Sequence, residues 1–209
     1  MDWLRPLWRR PRWRTPPLDT LILPGFVAID LETTGLDSRT DVVVAIAAIP
    51  VVGGEPQPGV VTLVNPGRPI PAASTAVHGI TDAMVQTAPR IEEALQRIDR
   101  MCESYPIVGH GVAFDMAILA RERRTRGRRS PANPVLCTMR LAAALYPGWT
   151  DVGLDAVAAR LGIAIHARHT AEGDALAAAE VLMSLLPAAR ARGARTLSDL
   201  QWLERTAAI

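Results

Sequence analysis

The chain has 209 residues, 49% of them hydrophobic, and a formal net charge of +2 at pH 7. This length and composition predict one globular domain with a full hydrophobic core. No apolar run reaches the roughly 18 residues of a membrane-spanning helix, and the basic N-terminus lacks the apolar stretch of a secretory signal. Cys102 and Cys137 lie far apart without metal-ligand spacing, which is typical of buried, reduced thiols. Together these features predict a cytoplasmic protein.

Residues 1–20 form a tail that is rich in Trp, Arg and Pro. Tryptophan recurs every five residues, at Trp3, Trp8 and Trp13, each followed by a proline three positions later. The prolines forbid a continuous helix, and the alternation of Trp with Arg would suit an anionic membrane, a nucleic acid or a protein partner. The alternative is a leader that has no partner.

Residues 21–190 are predicted to form the main domain, and residues 191–209 a short helical extension. The first three predicted strands cover residues 26–31, 42–52 and 60–64, and their close spacing indicates an antiparallel meander. Predicted helices follow at 90–103, 114–126, 139–145, 154–161, 171–186 and 197–203, with short strands at 107–108 and 135–138. This order predicts the α/β class, with a mixed β-sheet flanked by α-helices.

Two carboxylates lie at the end of the first predicted strand. Asp30 and Glu32 are two positions apart, so both project from the same face of the sheet. Two like charges this close repel each other unless a cation lies between them. A solvated strand end is the alternative, because this spacing alone is a weak indication of a metal site.

Two later patches add two more carboxylates and a histidine. Asp115 and Asp174 each lie at the start of a predicted helix, where either could be a capping residue. His169 precedes Asp174 by five positions, and His166 in the same loop is a competitor that spacing does not exclude. Carboxylate oxygens suit Mg²⁺ or Mn²⁺, and a histidine can accept a proton from an attacking water. The combined set predicts a nuclease that uses two metal ions.

The three patches resemble the motifs of the DnaQ-like (DEDDh) 3′–5′ exonucleases. This family contains the epsilon proofreading subunit of bacterial DNA polymerase III. The resemblance covers roughly residues 25–187, and its motifs include residues 77–82. The family's His-x4-Asp spacing selects His169 over His166. Gly111 departs from the pattern, because asparagine is usual there.

The resemblance implies a ribonuclease H-like fold and a set of functional residues. Two divalent cations, Mg²⁺ or Mn²⁺, would be bound by Asp30, Glu32, Asp115 and Asp174. His169 would be the general base of a hydrolysis that releases nucleoside 5′-monophosphates from 3′ ends. The terminal nucleotide would be contacted by Thr33, Gly35, Leu36, His78 and Phe114. For His78 and Phe114 the alternative is packing under the edge of the sheet.

The expected substrate is a single-stranded DNA 3′ end. RNA 3′ ends or oligoribonucleotides are the alternative, because recognition of the 2′-hydroxyl depends on pocket geometry. A third hypothesis is a catalytically inactive module that tethers nucleic acid or a membrane, although the complete set of five residues argues against it. About twenty residues follow the last domain helix, without a clear clamp-binding motif, which favours a stand-alone or auxiliary proofreading or repair enzyme.

Two further features have open interpretations. Residues 121–129 carry six Arg against one Glu, and this cluster is predicted either to contact phosphate groups or to be a solvated face. Trp149 either stacks on a base or anchors its loop.

Overall fold

The computed structural model describes residues 23–102, 105–130 and 132–207, and residues 1–20 therefore lie outside the described part of the chain. The strands in these ranges are β1 (Gly25–Thr33), β2 (Val43–Val52), β3 (Glu55–Pro56), β4 (Val60–Leu63), β5 (Ile107–Gly109) and β6 (Val135–Cys137). The helices are α1 (Ala72–His78), α2 (Asp82–Val85), α3 (Ile91–Cys102), α4 (Ala113–Thr125), α5 (Thr138–Leu145), α6 (Leu154–Leu161), α7 (Ala171–Ala191) and α8 (Leu197–Arg205). No helix in the described ranges is long and apolar enough to cross a membrane.

All of the strands belong to one mixed sheet in the order β3-β2-β1-β5-β6, and β4 also pairs with β2. Strand β2 runs antiparallel to β1, β3 and β4, whereas β5 runs parallel to both β1 and β6. The predicted antiparallel meander and the predicted mixed sheet flanked by helices are confirmed. Because helices cover both faces, β2 is an almost continuous apolar run rather than an alternating one.

The sheet separates two apolar layers, and β1 contributes to both. Phe26 and Ala28 pack in the layer that contains α7, whereas Val27 and Ile29 pack in the layer that contains α3 and α4. Successive side chains of a strand point to opposite faces. Asp30 therefore continues the α7 side of β1, near the C-terminal end of the strand.

Most predicted elements end within a few residues of their observed limits, but α7 does not. The sequence predicts its end at residue 186, immediately before Pro187, whereas the helix continues to Ala191. Proline lacks an N–H group and so costs the helix one hydrogen bond. Leu186 and Ala189 on either side of it are buried in the core, and this packing holds the last turn in place. The short helices α1 and α2 were not predicted.

Helix α8 covers the edge of the sheet at β6. The Gln201 side-chain amide donates to the Val135 carbonyl at 3.0 Å, and the Glu204 carboxylate accepts the Cys137 N–H at 2.7 Å. An open strand edge leaves such backbone groups unpaired. Two side chains of α8 therefore take the place of a neighbouring strand, while buried Leu200 fixes the helix against the core.

We expect Glu204→Ala to lower the free energy of unfolding by about 1–3 kcal/mol, because it leaves the N–H of buried Cys137 without its acceptor. Urea denaturation measures this change. The matched control is Glu93→Ala, at an exposed helical glutamate, which should change stability by less than about 0.5 kcal/mol. Equal effects of the two substitutions would contradict the edge-capping role.

Candidate active site

Three of the predicted carboxylates converge where β1 meets α7. Ligand oxygens of Asp30, Glu32 and Asp174 lie within 4.8 Å of one another. Asp115, in the first turn of α4, is buried beside them, and its charge acts on Asp30. The β1–β2 pairing shifts register between Glu32 and Thr33, so the strand is irregular directly after the second carboxylate. The structure thus brings all four predicted carboxylates to one place.

The environment of the cluster resists ionisation. Burial raises the pKa of Glu32 to about 7 and that of Asp115 to about 7. Burial, together with repulsion from Asp115, Asp174 and Glu32, holds the pKa of Asp30 well above its usual range. The pKa of Asp174 is also raised, mainly by burial. A bound cation would reverse these shifts, because it stabilises the ionised carboxylates.

The donor atoms fit a hard divalent cation. They are all carboxylate oxygens, the ligands that Mg²⁺ and Mn²⁺ prefer. Asp174 Oδ1 is buried and has no hydrogen-bond partner among the described residues. A buried acceptor without a partner is costly, so this oxygen is available for a ligand.

His169 lies in the loop that leads into α7. Its side chain is exposed, and its Nδ1 lies 3.3 Å from Nη1 of Arg168, which itself donates to Asp174 Oδ2. The loop packs tightly on the first turn of α7, because a Cβ at Gly173 would lie 2.2 Å from the Ala167 carbonyl oxygen. Thr170 caps the helix by accepting the Gly173 N–H at 3.1 Å. This packing holds His169 at the acidic cluster.

His166, the competing histidine, interacts electrostatically with a different carboxylate. Its charge acts on Glu180, which lies almost two turns further along α7 than Asp174. The two histidines therefore interact with different carboxylates of α7.

Sequence reasoning missed Arg168, which lies between the predicted residues. Its Nε donates to Asp155 Oδ1 at 2.9 Å, and its Nη1 donates to Asp174 Oδ2 and lies 3.3 Å from His169 Nδ1. The only signal in the sequence was a basic residue directly before His169. In a chain whose 23 basic residues are all arginine, that signal does not stand out.

The loop after β1 presents the predicted nucleotide-contacting residues. The Thr33 hydroxyl donates to the Gly35 carbonyl at 2.6 Å, and Gly35 packs so closely on Asp41 that a Cβ there would lie 2.5 Å from its carboxylate. Leu36 is 91% exposed at the tip. Arg121 braces the loop by donating to the carbonyls of Ser38 and Asp41. A large apolar side chain is therefore held in solvent by a well-bonded loop.

His78 and Phe114 are both partly packed within the fold, which is the alternative to nucleotide contact that the sequence left open. His78 Nδ1 accepts the Ile80 N–H at 3.0 Å, which leaves the proton on Nε2, a buried atom without a partner among the described residues. Burial lowers the pKa of His78 and favours this neutral form. The imidazole borders a cavity of about 380 Å³ that Met84 and Glu172 also line. Phe114 is partly buried against the α3–α4 layer.

The surroundings of His110, Trp149 and Gly111 constrain the role of each residue. Both ring nitrogens of His110 are engaged, with Thr138 Oγ1 at 2.9 Å and the Val152 carbonyl at 2.8 Å. Trp149 stacks on Tyr146 with ring centroids 4.2 Å apart, which confirms the loop-anchor interpretation. Gly111 has φ 70°, and a Cβ there would meet nothing within 4 Å. The position therefore accepts the family's usual asparagine, a residue that tolerates this conformation.

Most arginines of the cluster at 121–129 form ion pairs with acidic residues. Arg123 is 1% exposed and pairs with Asp99 at 2.6 Å, and Arg128 pairs with the other oxygen of the same carboxylate at 2.7 Å. Arg126 pairs with Glu92 and Glu122, both at 2.7 Å. Arg123 is buried and so belongs neither to a phosphate-contacting rim nor to a solvated face, and both interpretations stay open for the exposed arginines of the cluster. Two of the partners, Asp99 and Glu92, lie on α3, so these pairs depend on the fold and do not follow from the sequence pattern.

The sequence of the chain matches a known family. Residues 27–182 fit the sequence model of RNase_T, described as Exonuclease. A DNA polymerase III subunit epsilon-like protein of Rhodobacter capsulatus is 49% identical over 185 residues, which are 86% of this chain but only 26% of that protein. The DNA polymerase III subunit epsilon of Aquifex aeolicus is 34% identical over 80% of this chain and 83% of its own length. The chain thus spans about a quarter of the first relative and most of the second.

Solved structures share the fold. Exonuclease X in complex with 5′ overhanging duplex DNA matches with a TM-score of 0.69 and 26% identity, over 86% of this chain and 99% of the other. Exonuclease I matches in fold, with a TM-score of 0.66 at 20% identity over 78% of this chain and 41% of the other. The ribonuclease H-like fold implied by the sequence is confirmed.

We expect Glu32→Gln to weaken the pH dependence of stability of the metal-free protein. The pKa of Glu32 is raised from 4.5 to about 7, so its contribution to stability is fully present below about pH 4.5 and lost as the pH rises through 7. Solvent screening reduces the effect of this half-exposed carboxyl to about 1 kcal/mol, or about 2–4 °C in Tm.

The measurement is thermal unfolding in chelator at pH 5 and pH 7.5. The difference in Tm between the two pH values should be smaller in Glu32→Gln than in wild type and unchanged in Glu93→Gln, an exposed control. If the difference in Tm between the two pH values is the same in Glu32→Gln and in wild type, the pKa of the Glu32 carboxyl is not raised in the folded protein.

Proposed function

Since this chain belongs to the exonuclease family whose sequence model spans residues 27–182, we propose that it is a metal-dependent 3′–5′ exonuclease of the DnaQ-like (DEDDh), polymerase III epsilon type. The observation that carries the proposal is the convergence of Asp30, Glu32 and Asp174 within 4.8 Å, next to buried Asp115. A cluster of raised-pKa carboxyls with an unpartnered oxygen costs stability, and ligand binding accounts for its presence better than folding does.

The four carboxylates are the proposed ligands of two divalent cations, Mg²⁺ or Mn²⁺. Bound cations would neutralise charge on the phosphodiester and make an attacking water more acidic. The chain's own part is to hold the four side chains at fixed places on β1, α4 and α7. These are rigid elements, and two of the side chains, Asp115 and Asp174, are buried.

His169 is the proposed general base that accepts the proton of the attacking water. Its imidazole is exposed, so water and substrate can reach it, and its Nδ1 lies 3.3 Å from the Arg168 guanidinium that donates to Asp174. The loop that carries it is fixed by the Thr170 cap on α7. Positioning of this kind is what proton transfer requires.

The proposed contacts to the terminal nucleotide are made by Thr33, Gly35, Leu36, His78 and Phe114. The exposed side chain of Leu36 offers an apolar surface to the base or sugar, and its loop is braced. The Nε2–H group of His78 is a donor without an acceptor among the described residues, so it is available to a nucleotide oxygen or nitrogen.

Single-stranded DNA 3′ ends are the proposed substrate. The two polymerase III epsilon relatives and the Exonuclease X complex with DNA support DNA over RNA. The low aromatic content supports a short cleft that grips a few terminal nucleotides rather than a long stacking platform. The complete set of carboxylates and His169 counts against a module that only binds or tethers nucleic acid.

We expect His169→Ala to slow the removal of nucleotides from 5′-labelled single-stranded DNA by about 10²–10⁴-fold in Mn²⁺, because the general base is lost. His166→Ala is the matched control, since it makes the same substitution in the same loop and should keep wild-type activity. Asp30→Asn should abolish the activity, as should a chelator. Shortening of the DNA is followed on a denaturing gel.

Equal activities of the two histidine variants would contradict the role of His169, and full activity of Asp30→Asn would contradict the site itself. RNA of matched sequence is tested in parallel. Faster shortening of RNA than of DNA would overturn the proposed substrate and favour trimming of RNA 3′ ends.

A further inference from the structure

Arg168 places a guanidinium between the acidic cluster and α6. One edge, Nε, is bound to Asp155 Oδ1 at 2.9 Å, while Nη1 donates to Asp174 Oδ2. The side chain is only 29% exposed, although that of Asp155 is 69% exposed. Arg168 therefore reaches inward from a surface ion pair to one of the proposed metal ligands.

The local backbone is shaped to turn Arg168 in this direction. Ala167 and His169, on either side of it, have φ values of 56° and 61°, the left-handed conformation that alanine and histidine rarely adopt. Such strain persists only where the surroundings hold it. Asp155, the anchor of the guanidinium, lies in the first turn of α6, directly after a loop whose Val152 carbonyl is bound by His110.

Arg168 offsets part of the repulsion in the carboxylate cluster. Burial is the largest influence on the pKa of Asp30, Glu32 and Asp174 and raises all three, and the charge of Arg168 acts in the opposite direction on each of them. One guanidinium thus interacts with three of the four proposed metal ligands. It makes a direct bond to only one of them, Asp174.

We propose that Arg168 is an internal counter-ion that pairs with Asp174 in the metal-free site and gives up this carboxylate when a divalent cation binds. The inference rests on the proposed function, because it assumes that Asp174 is a metal ligand. The two carboxylate oxygens of Asp174 differ, since Oδ2 is paired with Arg168 and Oδ1 is buried without a partner among the described residues. Full use of the carboxylate by a cation requires the pair to break. The bond to Asp155 involves Nε, so it keeps Arg168 at the rim of the site after Nη1 has moved away.

The test is the affinity of the metal-free protein for Mn²⁺ alone, measured by isothermal titration calorimetry without substrate. Arg168→Gln removes both the ion pair that must break and the repulsion between guanidinium and cation. We expect it to bind Mn²⁺ about five- to fifty-fold more tightly than wild type. In chelator, the same variant should unfold at a lower temperature, because the cluster has lost its counter-charge. The matched control for Mn²⁺ affinity is Arg195→Gln, which removes one positive charge beyond the far end of α7 and should bind Mn²⁺ as wild type does.

Arg168→Lys is the second variant, and it keeps the positive charge. A lysine cannot bridge two carboxylates as the planar guanidinium does. The Mn²⁺ affinity of Arg168→Lys should therefore lie between those of wild type and Arg168→Gln. Circular dichroism verifies that each variant is folded. If Arg168→Gln does not fold, the comparison rests on Arg168→Lys, for which an affinity equal to that of wild type overturns the proposal.

The outcomes separate this inference from the proposed function. Equal or weaker Mn²⁺ binding by Arg168→Gln would overturn the counter-ion role and leave the metal site intact. If wild type does not bind Mn²⁺, or if Asp30→Asn binds it as tightly as wild type does, the proposed metal site fails and the inference fails with it.

Discussion

Mutual repulsion among four partly or fully buried carboxylates is the constraint on which the rest of the site depends. Asp30 and Glu32 are fixed by a strand that is paired on both sides, and Asp174 by a helix that packs across that strand. The apolar layers on both faces of the sheet provide the stability that opposes this repulsion. In the metal-free protein Arg168 relieves part of it, and a divalent cation would relieve more.

The position of each carboxylate on its strand or helix could be predicted from the sequence, because it follows from local periodicity. The two-residue spacing of Asp30 and Glu32 determines their shared face, and the predicted helix starts place Asp115 and Asp174 in first turns. That the three patches meet in space does not follow from periodicity. The chemistry of the combined set indicated that step, and the family resemblance then supported it and selected His169 over His166.

Other features could not be predicted because they depend on tertiary contacts. The partners of Arg123 and Arg128 come from Asp99 on α3, so a run of arginines that resembles an anion-binding surface is mostly an internal network of ion pairs. Helix α7 passes Pro187 because the residues after it are buried. Arg168 was missed for the same reason, since its partner Asp155 lies on a helix whose position is set by the fold.

The most direct test of the metal site is a crystal structure of the protein grown with Mn²⁺ and a nucleoside 5′-monophosphate, with anomalous diffraction used to locate the manganese. We expect anomalous peaks bounded by Asp30, Glu32, Asp115 and Asp174, with Arg168 no longer bonded to Asp174. A structure in which the nucleotide is bound but no manganese lies among these carboxylates would contradict the proposed metal site.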